Sequence, residues 1–374
     1  MNTGLNIKQS KPHYMILDGL RGVAALVVVM FHVFEIHSNG NHAEQIINHG
    51  YLAVDFFFFL SGFVIGYAYD DRWGQMTLAD FFKRRIIRLQ PMIVVGSVLG
   101  ALLFYFQDSA LLGWNMGEVP VWKLLLVMLI GATLFPVGKG LDIRGWNEMH
   151  PLNGPAWSLF FEYIANILYA LIIRRLSKIA LGALVIVAAC ITVNYALTNP
   201  NGDIIGGWSI DNLKQLELGF IRLAFPFLAG LLMARINKLK YVKNAFLWAS
   251  ILLVAVLAVP RIGDSETLWM NGLYECFCLF VVFPFVIWLG AGGTVNGKKA
   301  NKVCRFLGHI SYPIYITHYP LMYIYMAWVV NHHYTLAQSW PIGILTVAAS
   351  VLLAYLLMKF YDLPLRRYLR EKFL

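Results

Sequence analysis

Apolar residues fall along this chain in runs close to twenty long, separated by short polar connections. At 1.5 Å of rise per residue, a helix of about 20 residues matches the ~30 Å hydrocarbon core of a bilayer. The runs predict spans over 16–36, 51–69, 89–107, 156–173, 179–197, 216–236, 245–260, 272–289, 306–330 and 341–360. An eleventh apolar run covers 121–137. The basic clusters decide how to read it. They are Lys83/Arg84/Arg85/Arg88, Arg174/Arg175/Lys178, Arg235/Lys238/Lys240/Lys243, Lys298/Lys299/Lys302/Arg305 and Arg366/Arg367/Arg370/Lys372. Lys and Arg accumulate in cytoplasmic loops, and all five clusters share one side only if 121–137 does not cross. That run is therefore read as a re-entrant or interfacial helix, its backbone shielded by protein or a cavity. The expectation is an all-α polytopic membrane protein. It has about ten transmembrane helices plus one re-entrant or interfacial helix, both termini cytoplasmic, in a single integral membrane domain over 1–374. Trp114, Trp122, Trp146, Trp157, Trp208, Trp269 and Trp340 then fall near the outer boundary, as an aromatic belt would.

Composition agrees. Of 374 residues, 59% are hydrophobic and 13% charged, about half the ~25% charge of an ordinary soluble domain. The net charge of +10 is distributed in loops between spans, which orients a membrane protein and gives no reason to expect nucleic acid. The first run carries charges and lacks an evident cleavage site, so a retained signal anchor is expected. Neither internal repeats nor low-complexity tracts are visible. The four cysteines show no metal-ligand spacing, and Cys276 and Cys278 read as core packing.

The informative positions are polar residues inside apolar runs. An ionisable group within the membrane marks a functional site by default. In LDGLRGVAALVVVMFH, Arg21 and His32 lie ~20° apart around a helix and about 16 Å apart along it, and Asp18 shares their stripe. Asp18 is also placed to pair locally with Arg21. The second run holds Asp55 near its outer end and Ser61-Gly62 at mid-depth, a small-residue pair that admits a close neighbouring helix. In FFKRRIIRLQP, the cluster Arg84, Arg85 and Arg88 serves orientation, and arginines three apart also suit a phosphate clamp. Glu162 in NGPAWSLFFEY enters the membrane, where an ion pair with Arg222 or a histidine would hold it. In HISYPIYITHYP, His318 is expected near mid-bilayer, level with His32 and Glu162, while His309 lies near the cytoplasmic end.

Taken together, LDGLRGVAALVVVMFH, GYLAVDFFFFLSGFVI, FFKRRIIRLQP, WSLFFEY, ISYPIYITHYP and YDLPLRRYL resemble the acyltransferase-3 family of membrane acyltransferases, in that family's order and over essentially the whole chain. The resemblance implies transfer of an acyl group, usually acetyl, from cytoplasmic acyl-CoA to a hydroxyl of a cell-envelope or exported glycan, in the bacterial cytoplasmic (inner) membrane. It implies His32 as catalytic histidine, Arg21 as its motif partner, and Arg85 and Arg88 as part of the donor-binding motif. Arg84 and Ser61 join the donor candidates, and Asp18, Glu162 and His318 the catalytic ones. Acetyl-CoA enters as donor substrate, with no permanently bound cofactor and no metal. Two departures stand out. The WSL motif runs on as Phe160-Phe161-Glu162, without the second acidic residue and Gln frequent in relatives. No SGNH-type domain follows the last span, so a second transfer step is expected to need another protein.

The chemistry built from the residues is compatible. A thioester is already activated, so the enzyme must position it, deprotonate a hydroxyl and stabilise an oxyanion. Histidine, titrating ordinarily near pH ~6.5, is the natural base, and Glu35, Asp55 or Glu162 would fix its tautomer. Arg21 stays charged and would orient the donor or stabilise negative charge. Two other readings use the same residues: a transporter of an anionic solute, and a non-catalytic acyl-CoA-binding or glycan-export partner. The first predicts paired broken helices in two similar halves, and no such symmetry is visible in the sequence.

Overall fold

The computed structural model describes residues 14–38, 41, 44–236, 241–264 and 266–374; Lys238 and Lys240 of the third basic cluster lie outside the described residues. Its helices are α1 (Met15–His37), α2 (Ala53–Tyr69), α3 (Leu78–Leu103), α4 (Val121–Ala132), α5 (Ala156–Leu171), α6 (Lys178–Thr198), α7 (Leu213–Ile236), α8 (Ala245–Ala258), α9 (Trp269–Phe277), α10 (Phe283–Gly292), α11 (Lys298–Thr317), α12 (Tyr319–Asn331), α13 (Leu336–Leu357) and α14 (Leu363–Phe373). There is no β-strand among the described residues. Wide π turns join α9 to α10 and α13 to α14.

Among the described residues, seven helical segments are long and apolar enough to cross a membrane: α1, α2 with its preceding turn, α3, α6, α7, α9 with α10, and α13 with α14. The ten expected spans included three that the fold shortens or breaks. Helices α5 and α8 have 16 and 14 residues. The run 306–330 is two helices, α11 and α12, meeting at His318. The cause of that break is local. Pro320 has no N–H to offer the carbonyl of Ile316, so the α-helical ladder stops there. The freed carbonyl instead accepts 2.8 Å from Asn153 Nδ2 in the connection before α5.

Contacts gather the basic clusters at one face. Tyr14, at the start of α1, packs on Tyr67 near the end of α2, so these helices run antiparallel. Arg235 at the end of α7 pairs with Asp70 after α2 (2.7 Å) and donates to the carbonyl of Leu176 before α6. Arg305 lies against Met15. Helix α3 begins there because Thr77 and Asp80 cap its first turn reciprocally.

Helix α4 is re-entrant. It starts beside the far end of α3, where Tyr105 OH donates to the carbonyl of Val119 (3.0 Å). Twelve residues carry it only about 18 Å. Ser97 Oγ donates to Met128 O (2.7 Å) on the way, and Gln90 Nε2 to Ala132 O at the deep end. The chain then returns, with Val137 N–H bonded to Met149 O and Met149 N–H to Trp208 O. These bonds satisfy non-helical backbone at membrane depth, as the apolar solvent demands.

Helices α2 and α7 cross at close range. Gly62 faces the carbonyl of Phe227, and Gly230 faces that of Phe59, so a Cβ at either position would be driven into backbone. This is the close approach expected of the Ser61-Gly62 pair. Gly62→Ala should therefore lower the melting temperature in detergent by several degrees, since overpacking costs about 1–3 kcal/mol. Gly74→Ala, in open space, should leave it unchanged; equal melting of the two variants would refute the crossing.

Candidate active site

Helix α1 arranges the polar residues on two levels. Nearer the basic face, Arg21 Nη2 donates to Asp18 Oδ1 (2.7 Å) and its Nε to Ser311 Oγ on α11 (3.0 Å). Arg21 therefore ties α1 to the ISY segment. Arg85, Arg88 and Glu162 lie within its electrostatic reach.

Arg85 does not project from the membrane end as a free cation. It is 5% exposed, and its Nη2 donates to Glu162 Oε1 (2.7 Å), which also accepts from Ser61 Oγ (3.1 Å). The sequence expectation that Glu162 sits level with His32, pairing with Arg222 or a histidine, is corrected here. Glu162 is almost two turns beyond Pro155, roughly 10 Å deeper along α5. Arg222 pairs with Asp55 instead (2.6 Å) and donates to the carbonyls of Gly206 (3.0 Å) and Tyr51 (2.9 Å). Asp55, thus occupied, is not the carboxylate beside His32.

Arg88, one turn after Arg85, is half-buried and makes no hydrogen bond or ion pair with another described residue. Asp362 and Arg366 are within its electrostatic reach, and Arg366 pairs with Asp362 (2.8 Å). The Nε atoms of Arg84 and Arg366 are buried and unpartnered. A cluster of cationic side chains thus lies where α3 meets α14. Spacing within FFKRRIIRLQP had pointed to α3 alone, because the α14 contribution arrives from nearly 280 residues away.

On the second level, His32 Nδ1 is 2.7 Å from Glu35 Oε2. With Nδ1–H donating to the carboxylate, Nε2 is left as the basic nitrogen, the orientation a general base requires. The His318 ring stacks on His32 at 5.5 Å between centroids, and Tyr319 stands edge-on to it at 4.7 Å. Fully buried His318 has Nδ1 2.9 Å from the carbonyl of Ile314, so Nδ1–H donates and Nε2 is left without a partner. The helix break therefore places His318 and Tyr319 against α1. Ser158 of the WSL motif bonds Tyr315 OH (2.6 Å), which joins α5 to the same corner.

These groups open on a cavity of about 470 Å³ bordered by His32, Glu35, Tyr319 and Glu148. Its volume lies in the ~300–1,000 Å³ range of small-molecule sites. Glu148, in the connection between α4 and α5, accepts a bond from Tyr323 OH (2.7 Å). Burial pushes its carboxyl up to about 7 against the opposing effects of Arg144 and of the Tyr323 bond, and Asp142 and Glu35 push the same way as burial. Arg144 is itself held 3.4 Å from the Tyr323 ring centroid and 4.4 Å from that of Trp114.

Four of the seven tryptophans depart from the expected belt. Trp122, Trp269 and Trp340 are exposed, whereas Trp114 is fully buried and Trp146, Trp157 and Trp208 border the cavity. Periodicity could not foresee this, because the connections carrying Trp146 and Trp208 have none. Glu148, Tyr319 and Arg366 were likewise missed. The one available signal was adjacency: Tyr319 follows His318 directly, and Glu148 shares the Trp146 segment.

A family model described as an acyltransferase domain matches residues 16–359. Protein 2 in the picA locus of Rhizobium radiobacter is 37% identical over 44% of this chain and 85% of its own length. O-acetyltransferase OatA of Staphylococcus aureus (strain NCTC 8325 / PS 47) is 23% identical over 96% of this chain. The match spans only 58% of the OatA length. No solved structure matches. With the motifs in order along the chain and the family model covering nearly all of it, the chain belongs to the acyltransferase-3 family of membrane acyltransferases.

Proposed function

We infer that this protein acetylates a hydroxyl of a cell-envelope or exported glycan, taking the acetyl group from cytoplasmic acetyl-CoA across the bacterial inner membrane. The observation that carries the reading is the His32–Glu35 pair on the wall of a cavity bordered by the helix break. His32 Nε2 takes the acceptor's proton as its oxygen attacks the thioester carbonyl. The tetrahedral intermediate collapses, the C–S bond breaks, and the CoA thiolate leaves with the proton returned by His32. The products are ester and CoA thiol. Tyr319, whose hydroxyl makes no bond with another described residue, is the candidate donor to the oxyanion. His318 packs the base in place. The polar end of the donor rests on Arg84, Arg88 and Arg366 at the basic face, and its pantetheine arm runs inward past Arg21. Asp18 orients Arg21, and Ser61 with Glu162 holds Arg85 beside that path.

Purified protein in liposomes with labelled acetyl-CoA tests this. His32→Ala should lose 10²–10⁴-fold in transfer while keeping acetyl-CoA affinity, because general-base catalysis acts on the barrier. Activity above about a tenth of wild type would remove the role from His32.

The donor reading separates two arginines that the sequence grouped. Arg88→Gln should weaken acetyl-CoA binding at least tenfold, since a charge-assisted bond contributes about 1.5–3 kcal/mol. Arg85→Gln should instead lower the melting temperature, leaving Glu162 buried without its cation. Calorimetric titration and thermal scans distinguish the two, and equal donor affinity for wild type and Arg88→Gln would move the clamp elsewhere.

A further inference from the structure

Three of the tryptophans expected near the outer boundary border the cavity beside His32. They arrive from separate segments: Trp146 from the connection 133–155, Trp157 from the first turn of α5, and Trp208 from the connection 199–212. An indole turned away from the perimeter does not anchor a protein in a bilayer. Three of them around one cavity form an apolar, flat-walled chamber on the side away from the basic clusters.

The polar groups of the chamber narrow what fits it. Arg222 reaches the wall but is committed to Asp55, Gly206 and Tyr51 through all three of its nitrogens. Its charge is balanced by Asp55 and at most one of its five N–H groups is left over, so it is a poor handle for an anion. The remaining charged groups, Glu35 and Glu148, are acidic. A neutral occupant with hydroxyl groups suits them; a phosphate or carboxylate does not. We propose that this chamber is the acceptor subsite for one uncharged pyranose ring, laid against tryptophan and addressed at a hydroxyl by Glu148. The proposal rests on the acyl-transfer reading above and deepens it.

The physical case is the shape and polarity of a sugar ring. Its C–H groups present a flat, weakly positive face that complements the negative face of an indole, and covering both releases water. Its hydroxyls project at the rim and need partners, because a buried hydroxyl without one costs about 1–3 kcal/mol. Glu148 is positioned to be such a partner. One oxygen accepts from Tyr323, and the other lies beside Gly154, where even a Cβ would come within 3.2 Å of it. With the carboxyl held up to about 7 by burial, both protonation states are populated near neutrality, so it can donate to a hydroxyl or accept from one. A linear polyol has the same hydroxyls and no flat face.

The test uses the full chain in liposomes, with labelled acetyl-CoA as donor. Methyl glucopyranoside, methyl galactopyranoside and methyl N-acetylglucosaminide serve as acceptors, and sorbitol as the linear control. At least one pyranoside should be acetylated with a KM tenfold or more below that of sorbitol. Trp146→Ala and Trp208→Ala should each raise that KM at least tenfold with acetyl-CoA affinity held within twofold, and Trp146→Phe should restore it to within threefold. Glu148→Gln should raise it as well. That variant carries its own folding check. The folded carboxyl keeps its proton to about pH 7, whereas an unfolded one loses it near its ordinary 4.5. Wild-type stability therefore falls as pH rises from 4.5 through 7 and then levels off. Glu148→Gln should accordingly gain in melting temperature relative to wild type between pH 5 and pH 8. If the wild type acetylates sorbitol and the pyranosides with equal KM, or the tryptophan variants leave the pyranoside KM unmoved, the subsite is refuted while the acyl-transfer reading stands. If no acceptor and no water receives label from wild type, both fall.

Discussion

A proline cannot donate, and at Pro320 that one missing N–H leaves the Ile316 carbonyl without its helical partner in a medium where water cannot replace it. Asn153 supplies the bond at 2.8 Å. Much of the architecture follows from this repair. It allows α11 and α12 to part at His318, which brings that ring onto His32 and Tyr319 alongside it. It also holds the end of the connection 133–155 at membrane depth. That connection carries Glu148 and Trp146 to the cavity and leads into α5, whose first turn adds Trp157. Re-entrant α4 gives the connection its entry into the membrane.

Charge is handled on the same principle. A carboxylate or guanidinium left alone in a bilayer is expensive, and three of the buried guanidinium groups are paired within the protein. Arg222 with Asp55, Arg85 with Glu162, and Arg21 with Asp18 are bonds of 2.6–2.7 Å. Pairing one arginine of the FFKRRIIRLQP segment makes the other conspicuous. Arg88, half-buried without a counter-ion in contact, beside the α14 arginines, is where an external anion gains most. The two levels along α1, about 16 Å apart, then match a donor whose phosphates and thioester are also far apart. Neither level alone would account for Arg21 and His32 sharing one helical stripe.

How much of this was legible depended on whether a signal was local. The helical class, the re-entrant character of α4 and the Gly62 crossing all followed from composition, charge placement and residue size. So did the Arg21–Asp18 pair and the nearness of His32 to His318. Three of the expected spans are short or broken helices because apolar runs continue past the residues that keep helical geometry, as at Pro320. Depth was misjudged for Glu162, because its partners Arg85 and Ser61, which hold it at the Arg21 level, come from other helices. Partners brought together by tertiary packing had no sequence signal. Arg222 and Asp55 are 167 positions apart, and Arg88 and Arg366 are further apart still. The tryptophans were misplaced for a related reason: an aromatic near a membrane boundary reads the same whether it faces lipid or a chamber.

The central claim is that His32 acts as base because Glu35 fixes its tautomer. It is tested most directly by single-turnover acetyl transfer with Glu35→Gln and Glu35→Asp. Gln keeps the size but can offer its amide N–H to Nδ1, favouring the tautomer in which Nε2 carries the proton. The account expects Glu35→Gln to slow the chemical step by about 10²-fold or more with acetyl-CoA affinity unchanged, and Glu35→Asp to recover part of the rate. A Glu35→Gln enzyme that turns over at the wild-type rate would contradict it.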